Sequence, residues 1–252
     1  MRVAVCVKQI PDPATPYEFD SNNHLIVRPE DQVLDDTDRY GVELGLQLSQ
    51  ASEGTTTLVS MSPSGSMQGI RQALSMGADK AVIVDDENLR GADAASTALI
   101  LAKVIEREGF DLVVAGTEST DGYTGVVPQQ IAELLGIPAL TFARHVEIVN
   151  GSVRIDRQTS SGYDIVEASL PALITVTAGA VEPRYPTFKG IMEAKKKPVE
   201  VLDCAALDVE PIIGQQIVSI NPVAAREAGR IIEDDSSGYL EIIKLLEKIK
   251  VI

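Results

Sequence analysis

Short apolar runs alternate along the first half of the chain with segments whose apolar residues recur at helical spacing. Continuous apolar character is typical of strands that are buried on both faces of a sheet. Such runs occupy residues 3–7, 55–61, 81–84 and 111–115, and further strands are predicted at 140–148, 152–158, 163–168 and 172–177. The helical patterns occupy residues 35–49, 67–75, 93–107 and 128–135. This alternation predicts an α/β fold with a doubly wound, mostly parallel sheet.

Loops that follow parallel strands are the natural place for a ligand, because such sheets bind ligands beyond the carboxyl ends of their strands. Residues 116–125 form the strongest loop of this kind. Its glycines allow close backbone approach, and its hydroxyls and N–H groups before a helix suit a phosphate. The candidate binding residues are Gly116, Thr117, Glu118, Ser119, Thr120, Asp121, Gly122, Tyr123, Thr124 and Gly125. An ordinary strand-to-helix loop has the same residue types, so that interpretation stays open.

The character of the chain changes after residue 177. Residues 178–198 have a net charge of +3 inside a protein of net charge −15. Prolines and a glycine bracket Tyr185 and Phe188, which favours an exposed, stiff loop. An apolar side chain beside cations is typical of a docking anchor. The alternative is a solvated lysine run with Phe188 in the core.

Residues 199–235 show little periodicity, and residues 239–249 form an amphipathic helical pattern. We therefore predict a domain at residues 1–198, which includes a partner-recognition loop at 176–198, and a C-terminal arm at 199–252. The apolar face of the last helix must be shielded from water by another surface, which indicates an obligate partner.

Composition excludes several classes. The chain of 252 residues is 44% hydrophobic and 23% charged, which excludes a disordered protein. The strongly negative charge argues against nucleic-acid binding. No apolar run is long enough to cross a membrane, so we expect no membrane insertion and a cytoplasmic protein. Cys6 and Cys204 are far apart and form no CxxC motif, although one disulfide is possible.

The sequence contains few signals of a catalytic site. The chain has two histidines, His24 and His145, and no nucleophile-elbow, zinc-protease or Walker A motif. We expect no catalytic residues and no metal. One competing hypothesis is an adenine-nucleotide hydrolase or ligase that uses residues 116–125, with Asp121 and Lys8 as its charged groups. Another is a nucleotide-binding sensor module that forms a homodimer.

Several motifs together resemble one family. They are VCVKQIPD at residues 5–12, SMGADKA at 75–81, GAD at 91–93, the loop at 118–125, SLPA at 169–172 and EPRYPTFKGIMEAKKK at 182–197. The last stretch is the longest and the most unusual in composition. Over nearly its whole length the sequence resembles the β subunit of the electron transfer flavoprotein family, which implies a sheet of the adenine-nucleotide-binding type.

The resemblance implies a nucleotide site. The residues that fall where the family holds an adenine nucleotide are Cys6, Asp35, Asp36, Thr37, Asp38, Met61 and the loop from Gly116 to Gly125 with Val126 and Val127. The common family type holds a structural AMP, whereas electron-bifurcating members hold a second FAD there. The stretch from Asp121 to Pro128 keeps only part of the pattern typical of the second type, which favours AMP.

The resemblance also implies partners. An α subunit would hold the redox FAD, and the C-terminal arm would wrap around it. Acyl-CoA and other flavin dehydrogenases would dock on the recognition residues, and electrons would pass on to a quinone oxidoreductase. Those recognition residues are Glu182, Arg184, Tyr185, Phe188, Lys189, Ile191, Met192, Lys195, Lys196 and Lys197. Electron transfer between flavins needs proximity, so the lack of catalytic motifs fits this role.

Overall fold

A computed structural model describes residues 1–62, 65, 67–210, 212–221, 223–224, 229–233 and 236–252. Within them the chain divides into two compact units, Met1–Val218 and Ser219–Ile252. The first unit contains the strands β1 (Arg2–Cys6), β2 (Gln9–Pro11), β3 (Gln32–Leu34), β4 (Thr55–Met61), β5 (Lys80–Val84), β6 (Leu112–Gly116), β7 (Ala139–Val149), β8 (Ser152–Thr159), β9 (Gly162–Ser169), β10 (Ala172–Val176) and β11 (Val199–Leu202). Its helices are α1 (Asp36–Ala51), α2 (Gln68–Met76), α3 (Ala94–Glu108), α4 (Val127–Leu135) and α5 (Phe188–Ala194).

A nine-stranded sheet in the order β11-β5-β4-β1-β6-β10-β7-β8-β9 forms the centre of the first unit. The pairs from β11 to β7 are parallel, and only β7-β8 and β8-β9 are antiparallel. The predicted mostly parallel sheet is confirmed. The antiparallel hairpins at one edge arise because strands at residues 139–169 follow one another with only short turns between them.

Side chains alternate between the two faces of the sheet and build two cores. Val3 and Val5 of β1 pack with Leu44 and Ile70 of α1 and α2. Ala4, between them, belongs to the opposite core with the buried residues of α3 and α4. Helices therefore cover both faces, as a continuous apolar strand requires.

Strand order places a ligand crevice at the centre of the sheet. From β1 the chain moves outward on one side through β4 and β5, and then returns to β6 on the other side of β1. The carboxyl ends of β1 and β6, Cys6 and Gly116, consequently flank the topological switch point. Open α/β sheets bind ligands at this point. We call residues 116–127, which follow β6, the switch-point loop.

The chain differs from the prediction at two places after residue 177. Residues 188–194 form the short helix α5 instead of a loop, because Thr187 caps it by accepting a hydrogen bond from the Gly190 N–H at 3.0 Å. Residues 199–202 form β11, which pairs with β5, and Cys204 and Leu207 are buried in the core of α3 and α4. The first compact unit thus extends to Val218, beyond the boundary predicted at residue 198.

The second unit contains the helix α6 (Gly238–Lys248), which confirms the helix predicted near the C-terminus. Its apolar side chains Leu240, Ile242 and Leu245 are exposed. Arg230 and Glu241 form an ion pair within this unit. Among the described residues, no helix is both long and apolar enough to span a membrane.

Candidate functional site

Asp35 fixes the switch-point loop onto the beginning of α1. The carboxylate of Asp35 is fully buried and caps the helix, accepting a hydrogen bond from the Thr37 N–H at 3.0 Å. Its other oxygen accepts from the N–H and the hydroxyl of Thr120 at 2.7 and 3.0 Å. One aspartate therefore serves as a helix cap and as the attachment point of a loop 85 residues away in the sequence.

Asp38 and Gly116 meet beneath the loop. The buried Asp38 carboxylate accepts a hydrogen bond from the Lys8 N–H at 2.6 Å. A Cβ on Gly116 would lie 2.9 Å from the other Asp38 oxygen, so the close approach of α1 to the end of β6 requires glycine. Burial and then the nearby Asp35 raise the pKa of the Asp38 carboxyl well above its usual value.

Cys6 stands at the end of β1 beside this carboxylate. Burial and then the charge of Asp38 raise the pKa of the Cys6 thiol to about 12. The thiol is therefore protonated at neutral pH and is not a nucleophile. Both cysteines are free, so the disulfide considered from the sequence is not formed.

Asp121 binds two cations at the tip of the loop. Its carboxylate pairs with Lys8 Nζ at 2.6 Å and with the Arg28 guanidinium at 2.5 Å, and its side chain is only 1% exposed. Lys8 Nζ also donates to Ser119 Oγ at 3.3 Å. Burial opposes ionisation of Asp121, but the charges and hydrogen bonds of Lys8 and Arg28 outweigh it and lower the pKa of this carboxyl.

The structure brings most of the predicted site residues to this edge of the sheet. Thr37 Oγ1 lies 3.2 Å from the Glu118 carbonyl oxygen, and the Thr117 hydroxyl donates to the Val176 carbonyl at 3.0 Å. Met61 ends β4 at the same edge and packs on the core. Tyr123 is 68% exposed and has a φ of 50°, a left-handed conformation that is uncommon for a tyrosine. The exposed Gly122, Thr124 and Val126 and the half-buried Gly125 complete the loop, before Val127 begins α4.

Asp36 does not join the cluster. Its side chain is 79% exposed and pairs with Arg39 at 2.9 Å on the surface of α1. Asp35 and Asp38 point into the site and Asp36 away from it. The sequence could not distinguish these three carboxylates, because each suits the first turn of a helix.

Two residues of the site, Arg28 and Tyr17, were missed from the sequence, and Lys8 was named only in the competing hydrolase or ligase hypothesis. Lys8 directly follows β1, and its place at the carboxyl edge was a usable signal. The sequence contains no signal that Arg28 belongs to the site, because it lies 93 residues from Asp121. The pKa of Tyr17 is raised, first by burial and then by the charges of Asp121 and Asp35.

The edge retains polar groups that suit a nucleotide. The side-chain oxygens of Ser60, Gln129 and Gln130 are buried and have no hydrogen-bond partner within the described chain. The first turn of α4 has no side-chain cap, so its free N–H groups are available to an anion. The described residues contain no group of carboxylates, histidines and cysteines that could hold a metal ion.

A second surface lies on α5 and the residues before it. We call residues 182–197 the aromatic segment. Tyr185 is 90% exposed and Phe188 is 82% exposed, and Ile191 and Met192 are also exposed. Phe188 is therefore not a core residue, which excludes the alternative considered from the sequence. Glu182, Lys189, Lys195 and Lys196 are exposed around these side chains.

Two of the predicted recognition residues hold the segment to the body instead of facing solvent. The Arg184 guanidinium donates to Glu43 of α1 at 2.6 and 2.9 Å, and Glu43 is almost completely buried. Lys197 Nζ donates to the Leu74 carbonyl at 3.1 Å, and burial lowers its pKa. Arg71 adds hydrogen bonds to the carbonyls of Ala194 and Lys197 at 2.6 and 3.1 Å.

Close packing of α5 on α2 completes this base. A Cβ on Gly190 would lie 2.6 Å from the carbonyl oxygen of Ser75, so only glycine allows the two helices to approach this far. Ala194 at the end of α5 is buried. The exposed apolar side chains thus stand on a support that is fixed by packing and by ion pairs.

Comparisons with known proteins agree with this architecture. The family model described as "Electron transfer flavoprotein domain" matches residues 24–207. The electron transfer flavoprotein subunit beta of Mycobacterium tuberculosis (strain ATCC 25618 / H37Rv) is 39% identical over 263 residues, which cover 99% of both chains. That of Megasphaera elsdenii is 36% identical over 82% of this chain and 80% of its own. The acryloyl-CoA reductase electron transfer subunit gamma of Anaerotignum propionicum is 33% identical over 84% and 81%.

The family match covers most of the chain, and the alignments cover 80 to 99% of the length of these relatives. Members of this kind are electron-transfer proteins that associate with a flavin and pair with an α subunit. The resemblance that the sequence motifs indicated is confirmed. The chain belongs to the electron transfer flavoprotein family, as a β subunit.

Proposed function

We propose that this chain is the β subunit of a cytoplasmic heterodimer, in which it holds a structural AMP at the switch-point loop. The α subunit would hold most of the FAD. The C-terminal arm would wrap around that subunit with residues Ser219–Ile252 and not from residue 199 as the sequence predicted, because β11 and Leu207 belong to the body. Acyl-CoA or related flavin dehydrogenases would dock on the aromatic segment, and electrons would pass through the heterodimer to a quinone oxidoreductase.

The observation that carries the AMP proposal is the preformed polar edge at the switch point. Asp35 and Asp121 are satisfied within the protein, and they hold the loop where the uncapped α4 and the oxygens of Gln129 and Gln130 remain available to a ligand. A phosphate suits the N–H groups of α4, and the amide oxygens can accept hydrogen bonds from a base or a ribose. The residues present therefore fit an adenine nucleotide.

The docking proposal rests on exposed apolar side chains that stand on a fixed base. Burying Phe188 and Tyr185 against a partner would supply binding energy, and the fixed base would reduce the entropic cost of docking. The nearby lysines would orient a partner with an acidic surface. A relative named as an electron transfer subunit of acryloyl-CoA reductase supports a CoA-linked flavoenzyme as the kind of partner.

When bound, the flavin supplies the redox chemistry. The part of this chain is to position and to shield, because electron transfer depends on the distance between redox centres. The Cys6 thiol is protonated at neutral pH, and the Asp121 carboxylate is already paired with Lys8 and Arg28. Neither group is disposed to act as a nucleophile or a general base.

The test is to purify the chain with its α subunit and to release the bound nucleotides with acid for chromatography. We expect one AMP and one FAD for each heterodimer. Two FAD and no AMP would favour an electron-bifurcating protein in place of the AMP type. A complex without a nucleotide in the β subunit would contradict the AMP proposal.

Two further results would contradict the proposal as a whole. Steady ATP consumption by the purified chain would favour a hydrolase or ligase. A stable homodimer that does not bind an α subunit would favour a sensor module.

A further inference from the structure

Arg28 lies in the connection between β2 and β3, outside every site predicted from the sequence, and joins three separate pieces of the protein. One guanidinium nitrogen donates to Asp121 in the switch-point loop at 2.5 Å. The other lies 3.4 Å from the Gln9 carbonyl of β2 and 3.4 Å from the Gln32 side-chain oxygen of β3. A planar guanidinium can make these contacts together, whereas a lysine ammonium cannot reproduce the fork.

The ion pair with Asp121 is sheltered from water. The Asp121 side chain is 1% exposed and the Arg28 side chain 27%. Lys8 Nζ binds the second Asp121 oxygen at 2.6 Å. Both carboxylate oxygens are therefore engaged by protein cations, which gives Asp121 a role in holding the loop. Loss of Arg28 would leave a buried carboxylate with a single cation, which is costly.

The loop is restrained from two sides. Asp35 holds Thr120 to the beginning of α1, and Arg28 holds the adjacent residue Asp121 to β2 and β3. These two restraints grip neighbouring residues of the loop and set its position above the carboxyl ends of β1 and β6.

The following inference rests on the proposed nucleotide site. We propose that Arg28 is a positioning residue that acts through Asp121 and keeps the switch-point loop closed on the phosphate of an adenine nucleotide. The measurable consequence is a slow release of that nucleotide. Arg28 contacts the loop through Asp121, so we expect its removal to change the dissociation rate more than the identity of what is bound.

The first experiment measures the release of labelled AMP from the heterodimer after dilution into unlabelled AMP. We expect Arg28→Gln to release AMP at least about tenfold faster than the wild type, and Arg28→Lys to restore part of the retention. Arg39→Gln, which removes an exposed pair with Asp36, is the matched control and should release AMP at the wild-type rate. An unchanged rate in Arg28→Gln would overturn the proposal.

A double-mutant cycle tests whether Arg28 acts through Asp121. If it does, Arg28→Gln should add little to the effect of Asp121→Asn, because the first substitution removes a contact that the second has already weakened. Fully additive effects on the release rate would show that Arg28 acts by another route and would contradict the inference.

Hydrogen exchange separates this proposal from the proposed function. We expect the amides of residues 119–125 to exchange faster in Arg28→Gln and not in Arg39→Gln, with or without a nucleotide. A wild-type complex that retains no adenine nucleotide contradicts the proposed function, and the exchange rates then decide the role of Arg28 alone. Unchanged exchange in Arg28→Gln would overturn that role.

Discussion

The switch-point loop and the aromatic segment have opposite arrangements of polar and apolar groups. At the loop, the carboxylates of Asp121 and of Asp35, which caps α1, are buried and bonded inward. In the aromatic segment, polar groups form the base, while Tyr185 and Phe188 are directed to solvent. A small ligand is held by polar groups that are fixed away from water, whereas a protein partner is held by apolar surface that loses water only on docking.

The two regions also differ in how their charges are used. Lys8 and Arg28 are paired with a buried carboxylate, and such pairs are screened little by salt. Lys195 and Lys196 are exposed, so their attraction for a partner should weaken as salt is added. The nucleotide site is therefore expected to be insensitive to salt under conditions that weaken docking.

The largest effect is expected from a substitution that detaches the aromatic segment from the body and leaves the switch-point loop intact. Arg184→Ala leaves the Glu43 carboxylate buried without its cation, and we expect the free energy of unfolding to fall by about 3 kcal/mol. Denaturant titration measures this change, and the AMP content should not change. Arg39→Ala, at an exposed pair, should cost less than about 1 kcal/mol. Equal effects of the two substitutions would refute the anchoring role of Arg184.

The contact between α5 and α2 can be disturbed without any change of charge. In Gly190→Ala the new Cβ would meet the Ser75 carbonyl at 2.6 Å, so α5 must move away, at a cost of about 1 to 3 kcal/mol. Transfer from a partner dehydrogenase should slow as well. Gly41→Ala is the control, since its Cβ would lie at an ordinary 3.7 Å from Val114. A fully stable Gly190→Ala would mean that the packing is looser than it appears.

Removing the exposed side chain alone should separate docking from stability. We expect Phe188→Ala to weaken docking by about 2 kcal/mol, with unfolding and AMP content unchanged, because this side chain is 82% exposed. The readout is the rate of transfer from the dehydrogenase at a limiting concentration of the heterodimer. Val201→Ala, at another exposed apolar residue, serves as the control. An unaltered rate in Phe188→Ala would remove this residue from the docking surface.

The smallest effect is expected beneath the loop and depends on pH. Because the folded protein raises the pKa of Asp38 above 3.8, it binds a proton that the unfolded chain releases, and stability falls as pH rises from that value towards the folded pKa. Asp38→Asn removes this decline and should be more stable than the wild type at neutral pH, which denaturant titration across the pH range measures. Identical pH profiles of the two proteins would show that Asp38 does not titrate in this way.

The pKa of Asp121 is shifted in the opposite direction to that of Asp38. Asp121 has a pKa lowered below 3.8, so its contribution to stability is complete above that value and is lost only as pH falls through the folded pKa. The switch-point loop should consequently retain its ion pairs throughout the neutral and mildly acidic range.

Much of the fold could be predicted because local patterns and tertiary packing agree. The run at residues 55–61 is a strand with the predicted bounds, and Asp93 caps α3 by accepting from the Ser96 N–H at 2.8 Å. Strand β11 was missed because Val199–Leu202 is only four residues long, which is too short for a periodic pattern to show. Its conformation comes from pairing with β5, which no local signal shows.

The sequence predicted which loops form the site, but not the contacts that its side chains make with distant residues. Loops that follow strands could be recognised from the sequence, and most of the residues named there do come together. The contacts of Arg184 and Lys197 with the body could not be predicted, because a basic residue in an irregular stretch has the same sequence signature whether it faces solvent or a buried acceptor. Glu43, the buried acceptor to which Arg184 donates, lies in α1, 141 residues away in the sequence.

By itself, the sequence determined the alternation of strands and helices, the loop at the carboxyl edge, the aromatic segment and the family. These depend on the spacing of apolar residues and on motifs that are contiguous along the chain. Only the tertiary structure decided which carboxylates point inward, that Arg28 reaches Asp121, and that Phe188 is exposed above a fixed base. Such facts depend on contacts between residues far apart in the sequence, because burial and pairing are properties of the folded chain and not of any one segment.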